Sequence, residues 1–351
     1  MKIGILYDGL SAASPDQLIT GTVDAVAAEL ASEGNEIVRI PASPDARWID
    51  RLRRARVDLV FNLCESIDGV AALEPPVISV LELLDIPYSG SSSWTTSLCL
   101  RKHVVNGALE RAGLPVPKFA VVRRGGAIPS VGFPAICKPA AEDASIGVEQ
   151  RSVVRTTRQL TERVGAMLER WDEVLVQRYV EGREVNVGIL GDGVLPIAEI
   201  DFGRMPKGMW RIVTYKSKWE TGSDEDIGSS PRCPARLPAA VATQLRRVAI
   251  AAWRLVGGSG YRRVDMRIDE RGRPWILEVN ANPDLAPDAG LARMARVAGI
   301  EYGALVRQIC ELGLHRSRDG VTTAERWALA QRLSGVATEP PAALDLFAGE
   351  A

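Results

Sequence analysis

Three oxygen-bearing side chains near the carboxyl-terminal end of the sequence have types and spacing suited to chemistry: Asp265 in RRVDMRID, and Glu278 and Asn280 in WILEVNANP. Residues two apart on a strand share a face, so Glu278 and Asn280 project together, and a hairpin partner can set Asp265 beside them. Two carboxylates and an amide oxygen are hard ligands of the kind Mg²⁺ accepts, above all when phosphate oxygens complete its shell. Among Val264, Met266, Ile276, Leu277 and Val279 such groups are costly to hold without a partner. The alternative is a solvated outer face with a buried salt bridge to Arg263. Lys138 closes the apolar run FPAICK and leads into PAAEDASIG, where backbone N–H groups around Gly147 and an ammonium can converge on a phosphate. The spacing is not that of a P-loop, and a strand-end lysine by itself is ordinarily only solvated; Lys102 in SLCLRKH has the same reading. The stretch 203–231 is rich in Lys, Arg, Trp and Gly and too long for an ordinary connection. Its Lys207, Arg211, Lys216 and Lys218 suit a lid that closes over phosphates and expels water, the alternative being a mobile charged loop. Trp210 and Trp219 serve there either as substrate contacts or as lid packing. Cys64 reads as a pocket residue or, more commonly, an inert buried thiol.

Alternating strands and helices must position these groups. Residues 2–7 form a short apolar run consistent with a buried parallel strand. An alanine-rich helix follows over 18–30, stopped by Gly34-Asn35, and then strands at 37–40 and 57–62, which points to βαβ units. The Gly/Ser loop YSGSSS closes this first block. A helix over 97–112, strands at 118–122 and 134–138, a helix over 157–170 and a strand at 173–179 make the middle block. The third holds strands at 184–190 and 194–201, an irregular stretch 203–234, and a helix over 237–256 with Val241, Leu245, Val248, Ala252 and Leu255 on one face. Strands at 263–268 and 275–280 flank a polar turn, and a helix covers 302–312. The division is therefore 1–92, 93–181, 182–317 with the lid at 203–231, and a tail 318–351 carrying one helix near 323–333 before it frays.

The 351 residues hold 43 Lys+Arg against 44 Asp+Glu, five cysteines and two histidines. Balanced charge without long single-sign tracts disfavours nucleic acid as a partner, and no apolar run is long enough to span a bilayer. The amino-terminal apolar stretch is too short for a secretory signal. An odd number of scattered cysteines argues against a disulfide framework or structural zinc and fits the cytoplasm. With only His103 and His315, a histidine-rich metal site is excluded.

Taken in order, Lys102, CKPAAEDASIG, VQRYVEGREVNV, KSKW, RRVDMRID and WILEVNANP resemble the ATP-grasp superfamily, and within it the D-alanine–D-alanine ligases, over residues 1–317. The resemblance implies an α/β ATP-grasp fold, with an amino-terminal parallel α/β domain followed by two α+β domains clasping a nucleotide. It implies ATP and Mg²⁺ (or Mn²⁺), with Lys102 and Lys138 on the α- and β-phosphates and Ser145 and Gly147 in a loop folding over the nucleotide. By the same likeness Gln177, Arg178 and Val180 lie in the linker strand whose backbone reads adenine, and Glu184 meets the ribose hydroxyls. Asp265, Glu278 and Asn280 match metal ligands, Arg263 the arginine that stabilises the tetrahedral intermediate, and Lys218 the lid lysine on the γ-phosphate. It further implies amide or peptide bond formation through an acyl phosphate on small amino acid or peptide substrates, and allows a homodimer through the first domain.

The sequence departs from this pattern on the substrate side. Asp16 is the nearest acid where a glutamate is expected, Cys64-Glu65 replaces a histidine, Lys218-Trp219 replaces Lys-Tyr, and Ala289-Gly290 replaces a serine beside the acidic Asp288. Ala144 replaces one of two paired loop serines. Asp16, Glu65 and Asp68 suggest recognition of an ammonium on a different amino acid or a small peptide. The expectation is a carboxylate–amine ligase; the alternatives are an authentic D-alanine–D-alanine ligase, a non-catalytic nucleotide binder, and a ligase whose acceptor is a hydroxyl or thiol.

Overall fold

A computed structural model describes residues 1–9 and 19–315. Asp16, the tail and its expected helix lie outside the described residues. The first block opens with β1 (Lys2–Asp8), α1 (Ile19–Ser32), β2 (Glu36–Ala42), α2 (Arg47–Ala55), β3 (Leu59–Asn62) and α3 (Glu74–Leu83). Its sheet has the order β2-β1-β3, and both pairings are parallel, Ile3 facing Ile37 on one side and Leu59 on the other. A central strand covered on both faces needs an unbroken apolar run, which KIGILY supplies. Two helices here were not expected from the sequence. One of them, α3, begins Glu-Pro-Pro; prolines in a first turn lose no intrahelical bond and suit a helix start, although the pair reads as a loop.

The middle block contains α4 (Ser93–Leu100), α5 (Lys102–Arg111), β4 (Phe119–Arg123), β5 (Ala135–Pro139), β6 (Val153–Val154), α6 (Thr157–Leu168) and β7 (Glu173–Arg178). The single helix expected over 97–112 is two, broken at Arg101. Neither Gly nor Pro causes the break. The Lys102 N–H instead donates to the Ala140 carbonyl at 3.1 Å, which places that lysine at the first turn of α5 and against the loop after β5. The sheet runs β4-β7-β5-β6, all antiparallel. Ala135 and Cys137 of β5 join the core under α6, so Ile136 and Lys138 face the opposite way.

The third block has β8 (Arg183–Leu190), β9 (Gly193–Val194), β10 (Ala198–Asp201), α7 (Tyr215–Trp219), α8 (Asp224–Gly228), β11 (Ser230–Arg232), α9 (Ala239–Leu255), β12 (Tyr261–Ile268), β13 (Pro274–Asn280), α10 (Gly290–Val297) and α11 (Tyr302–Leu314). Its antiparallel sheet has the order β11-β10-β8-β12-β13, with β9 on β8. The strand expected over 194–201 is thus two, and the stretch read as irregular holds α7, α8 and β11. On α9 the expected stripe drifts: Leu255 is 43% exposed, while Trp253 and Val256 are buried in its place.

Asp269 ties the β12–β13 turn. Its carboxylate accepts from the N–H groups of Arg271 and Arg273 at 3.0 and 2.9 Å, the indole of Trp275 at 3.1 Å and the guanidinium of Arg273 at 2.8 Å. Partial burial alone would raise its pKa, but these donors outweigh it and bring it down to about 2. Asp269→Ala is expected to cost roughly 1–2 kcal/mol in urea denaturation at neutral pH. A depressed folded pKa gives stability that is present above the unfolded value and lost as pH falls through the folded one. The difference between wild type and variant should therefore close between the ordinary value of 3.8 and about 2.

The largest core crosses between the first block and the last. Ile3, Ile5, Val23, Leu59 and Phe61 share it with Leu291, Met294, Leu305, Val306 and Ile309. The last helix, α11, lies against α1 and β3.

Candidate active site

Strands β8, β12 and β13 present one polar face. Across β12, Asp265 is opposite Asn186 on one side and Glu278 on the other, and Arg263 is opposite Asn280. The β12–β13 register shifts between Asp265 and Met266, leaving Leu277 unpaired. This bulge matters for side-chain direction. Without it, Glu278 and Asn280 would share the face of Ile276; with it, Ile276 and Val279 both enter the core while Glu278 and Asn280 are half-buried on the other side.

Four hydrogen bonds converge on Asp265. Asn186 Nδ2 donates at 2.6 Å, Asn280 Nδ2 at 2.8 Å, and the Arg263 fork at 2.7 and 2.9 Å. Both readings of Asp265 are therefore present at once: an ion pair with Arg263 and a cluster with Glu278 and Asn280. Burial works against the Arg263 charge, yet Asp265 beside it raises its pKa further.

Lys102 stands at the centre of the next shell. Its ammonium pairs with Glu278 Oε1 at 2.5 Å and Asp143 Oδ1 at 2.9 Å, and donates to the Glu142 carbonyl. Burial opposes the lysine's charge, but Asp143 and Glu278 more than offset it. In turn Lys102 and Lys138 overcome burial at Glu278 and hold it at about 2. Asp143 moves the other way: burial raises it, and the facing Glu278 adds to this against Lys102. Lys138 is lowered, first by burial and then by the neighbouring cation Lys102 among opposing acids. Lys218 at the end of α7 is also lowered, by burial and then Arg263, with Glu278 and Asp265 opposing.

The loop after Lys138 is held in a demanding shape. Ala144 and Ser145 have φ of 53° and 60°, and Gly147 has 75°. A Cβ on Gly147 would meet both Pro139 and Trp171 at 2.8 Å, so only glycine fits. The lid docks on this loop rather than hanging free. Trp219 Nε1 donates to the Ala144 carbonyl at 3.1 Å, Ser145 Oγ to the Val213 carbonyl at 3.2 Å, and the Tyr215 N–H to the Val148 carbonyl at 2.9 Å. Trp210 stacks edge-on to Tyr179 at 5.2 Å. Both tryptophans thus make contacts that hold the lid. Buried Thr214 and Glu225 join inside the lid at 2.5 Å, which fixes α7 against α8.

Gln177 lies opposite Ile136, on the face of the middle sheet that carries Lys138. Its Nε2 is buried with no hydrogen-bond partner, a donor suited to a base edge. Arg178 alternates to the other face and closes on Gly132. Val180 offers its carbonyl to Arg267 at 2.9 Å, and Glu184 forms an ion pair with Arg267 at 2.9 Å. On the substrate side, Cys64 is buried, donates to the Ser66 carbonyl at 3.0 Å, and has a strongly raised pKa, chiefly from burial. Burial and the raised pKa both disfavour its thiolate. Glu65 and Asp288 are exposed.

Three residues the sequence reading passed over are built into the site. Asn186 reaches Asp265 from 79 positions away, a pairing that only sheet order reveals. Asp143 was in plain view in AEDASIG, an acid in an otherwise small-residue loop. Arg267 follows Arg263 and Asp265 at a two-residue spacing, the one signal that all three share a face.

Among the described residues no three His, Cys, Asp or Glu side chains gather into a self-sufficient metal cage. Two carboxylates with the Asn280 amide instead fit a hard cation whose remaining ligands come from phosphate oxygens, which the adjacent lysines would also meet.

Comparison with known proteins accords with this geometry. The family model described as D-ala D-ala ligase C-terminus matches residues 108–311. A D-alanine–D-alanine ligase of Geobacter sulfurreducens is 33% identical over 313 residues, covering 88% of this chain and 92% of that protein. An uncharacterized protein, y4sG, of Sinorhizobium fredii is 31% identical over 263 residues, 74% of this chain and 75% of its own length. The crystal structure of the Bacillus anthracis D-alanine–D-alanine ligase superposes with a TM-score of 0.73 at 25% identity, over 90% of this chain and 98% of that one. The chain belongs to the D-alanine–D-alanine ligase family and is an ADP-forming ATP-grasp ligase that uses ATP and a divalent metal to make carbon–nitrogen bonds.

Proposed function

We propose that this ligase joins an amino acid or small peptide carboxylate to an amine, with Mg²⁺ as its metal, on substrates other than a pair of D-alanines. One observation carries the proposal. The groups facing the nucleotide converge, with Lys102 on Glu278 and Asp265 among Arg263, Asn186 and Asn280, while the substrate-facing groups have been put to other uses. Trp219 spends its donor on Ala144, Cys64 is sealed against Ser66, and Ala289 has no hydroxyl to offer. A site that loses its hydrogen-bonding partners loses discrimination for the substrate they served.

In this reading Lys102 and Lys138 orient the phosphates, and Lys218 meets the γ-phosphoryl group. A carboxylate oxygen attacks the γ-phosphorus, the bond to the β–γ bridging oxygen breaks, and ADP departs with those electrons. Arg263 stabilises charge on the acyl oxygen as an uncharged amine attacks the acyl carbon and phosphate leaves; the amine's surplus proton goes to solvent. The metal, when bound by Asp265, Glu278 and Asn280, neutralises phosphate charge. Acyl phosphates hydrolyse in water, and the lid docked on residues 144–148 excludes it.

The second reading, an authentic D-alanine–D-alanine ligase, is favoured by the names of the relatives. Incubating the protein with ATP, Mg²⁺ and a mixed amino acid pool, followed by mass spectrometry, separates the two. A product other than D-alanyl-D-alanine is expected, with D-alanine alone supporting less than about a tenth of the ADP release; D-alanyl-D-alanine as the main product establishes the second reading. Among the described residues no helix is long and apolar enough to cross a membrane. A homodimer is part of the same proposal, and sedimentation tests it.

A further inference from the structure

Arg267 is a buried arginine with no partner role in the chemistry above, yet it collects more acceptors than a neutral strand position needs. Its side chain is 3% exposed. Nη2 and Nε donate to Glu184 Oε2 at 2.9 and 3.3 Å, and Nη1 donates to Tyr179 Oη and the Val180 carbonyl, both at 2.9 Å. Nη2 also donates to the carbonyl of Arg211, in the lid. Tyr179 Oη donates to that same carbonyl at 3.2 Å, and its ring lies under the guanidinium at 4.8 Å. One planar fork thus bonds three things at once: the carboxylate at the start of β8, the strand-to-strand linker, and the root of the lid. Lysine has one donor head and cannot span them.

We infer that Arg267 is a positioning residue that makes ribose recognition by Glu184 and docking of the lid a single unit. This rests on Glu184 being the ribose contact. Orienting the carboxylate toward ribose hydroxyls fixes the fork, and the fork fixes the Arg211 carbonyl; a nucleotide without those hydroxyls leaves the lid less firmly held. An arginine that merely neutralised a buried acid would need no bond to the lid root.

The test compares binding of ADP and 2′,3′-dideoxy-ADP, each with Mg²⁺, to the full chain by calorimetry, using wild type, Glu184→Gln and Arg267→Lys. Wild type is expected to prefer ADP by about tenfold, the size of one or two hydrogen bonds to a charged group. The preference should fall to near one in both variants. If Glu184→Gln removes the preference and Arg267→Lys lowers both affinities equally, the positioning role is overturned while the ribose reading stands. If Glu184→Gln keeps the preference, both fall together. Proteolysis within 203–231 gives a second readout: ADP should protect the wild-type lid several-fold better than dideoxy-ADP, and Arg267→Lys should abolish the difference. Should Arg267→Lys not fold, Tyr179→Phe removes the hydroxyl joint and keeps the guanidinium. A preference reduced to an intermediate value supports the inference, and an unchanged one overturns it.

Discussion

Glu278→Gln is expected to reduce ADP release with the preferred substrates by roughly 10²–10³-fold, the scale on which one group stabilising transition-state charge acts. The amide keeps the volume and Lys102 retains Asp143 and the Glu142 carbonyl, but the ion pair with Lys102 is lost, so the fold should weaken by about 1–3 kcal/mol without unfolding. What disappears is a carboxylate kept ionised down to about 2 by Lys102 and Lys138. A coupled assay for ADP, with thermal denaturation alongside, checks both halves. A variant turning over near the wild-type rate would remove Glu278 from the mechanism.

Lys102→Met strikes stability and activity together. It leaves Glu278 and Asp143 facing each other without the ammonium between them; both acids keep some exposure, so water screens part of the loss and the cost should be about 1–3 kcal/mol. The pH dependence follows from the depressed Glu278 pKa. The stabilisation is fully present above the ordinary value of 4.5 and is lost as pH falls toward about 2. Urea denaturation should therefore show the full deficit at neutral pH and a shrinking one across that acidic window. A deficit that stays constant as the pH is lowered would mean that the lysine acts through packing alone.

The sequence made the three most informative strands and their polar residues legible because they obey short-range rules. The two-residue repeat carried Glu278 and Asn280 to one face, and apolar runs marked β1 and β5. The parallel first sheet followed from the alternation of strands and helices, whereas the two α+β domains after it came only with the family resemblance. What escaped notice depends on contacts between distant segments. The bulge at Leu277 answers to the pairing of β12 with β13, and no residue type announces it. The break between α4 and α5 comes from a bond to Ala140, not from a helix breaker. Order in the lid comes from Glu225, Thr214 and the loop around Ala144, and its composition alone reads as a flexible linker. Asp143 and Arg267 were visible as letters but not as partners, because charge pairs across 41 and 83 positions leave no local pattern.

The packing of α11 on α1 and β3 brings nearly opposite ends of the described chain together, with Arg307 pairing to Glu33 across 274 positions. A growing polypeptide emerges amino end first, at roughly 5–20 residues per second. Its first sheet must then wait on the order of tens of seconds with an oily flank bare before the helix that covers it leaves the ribosome. Until then the apolar surface that α11 will cover is open to contact with other chains, the kind of surface a holdase chaperone shields.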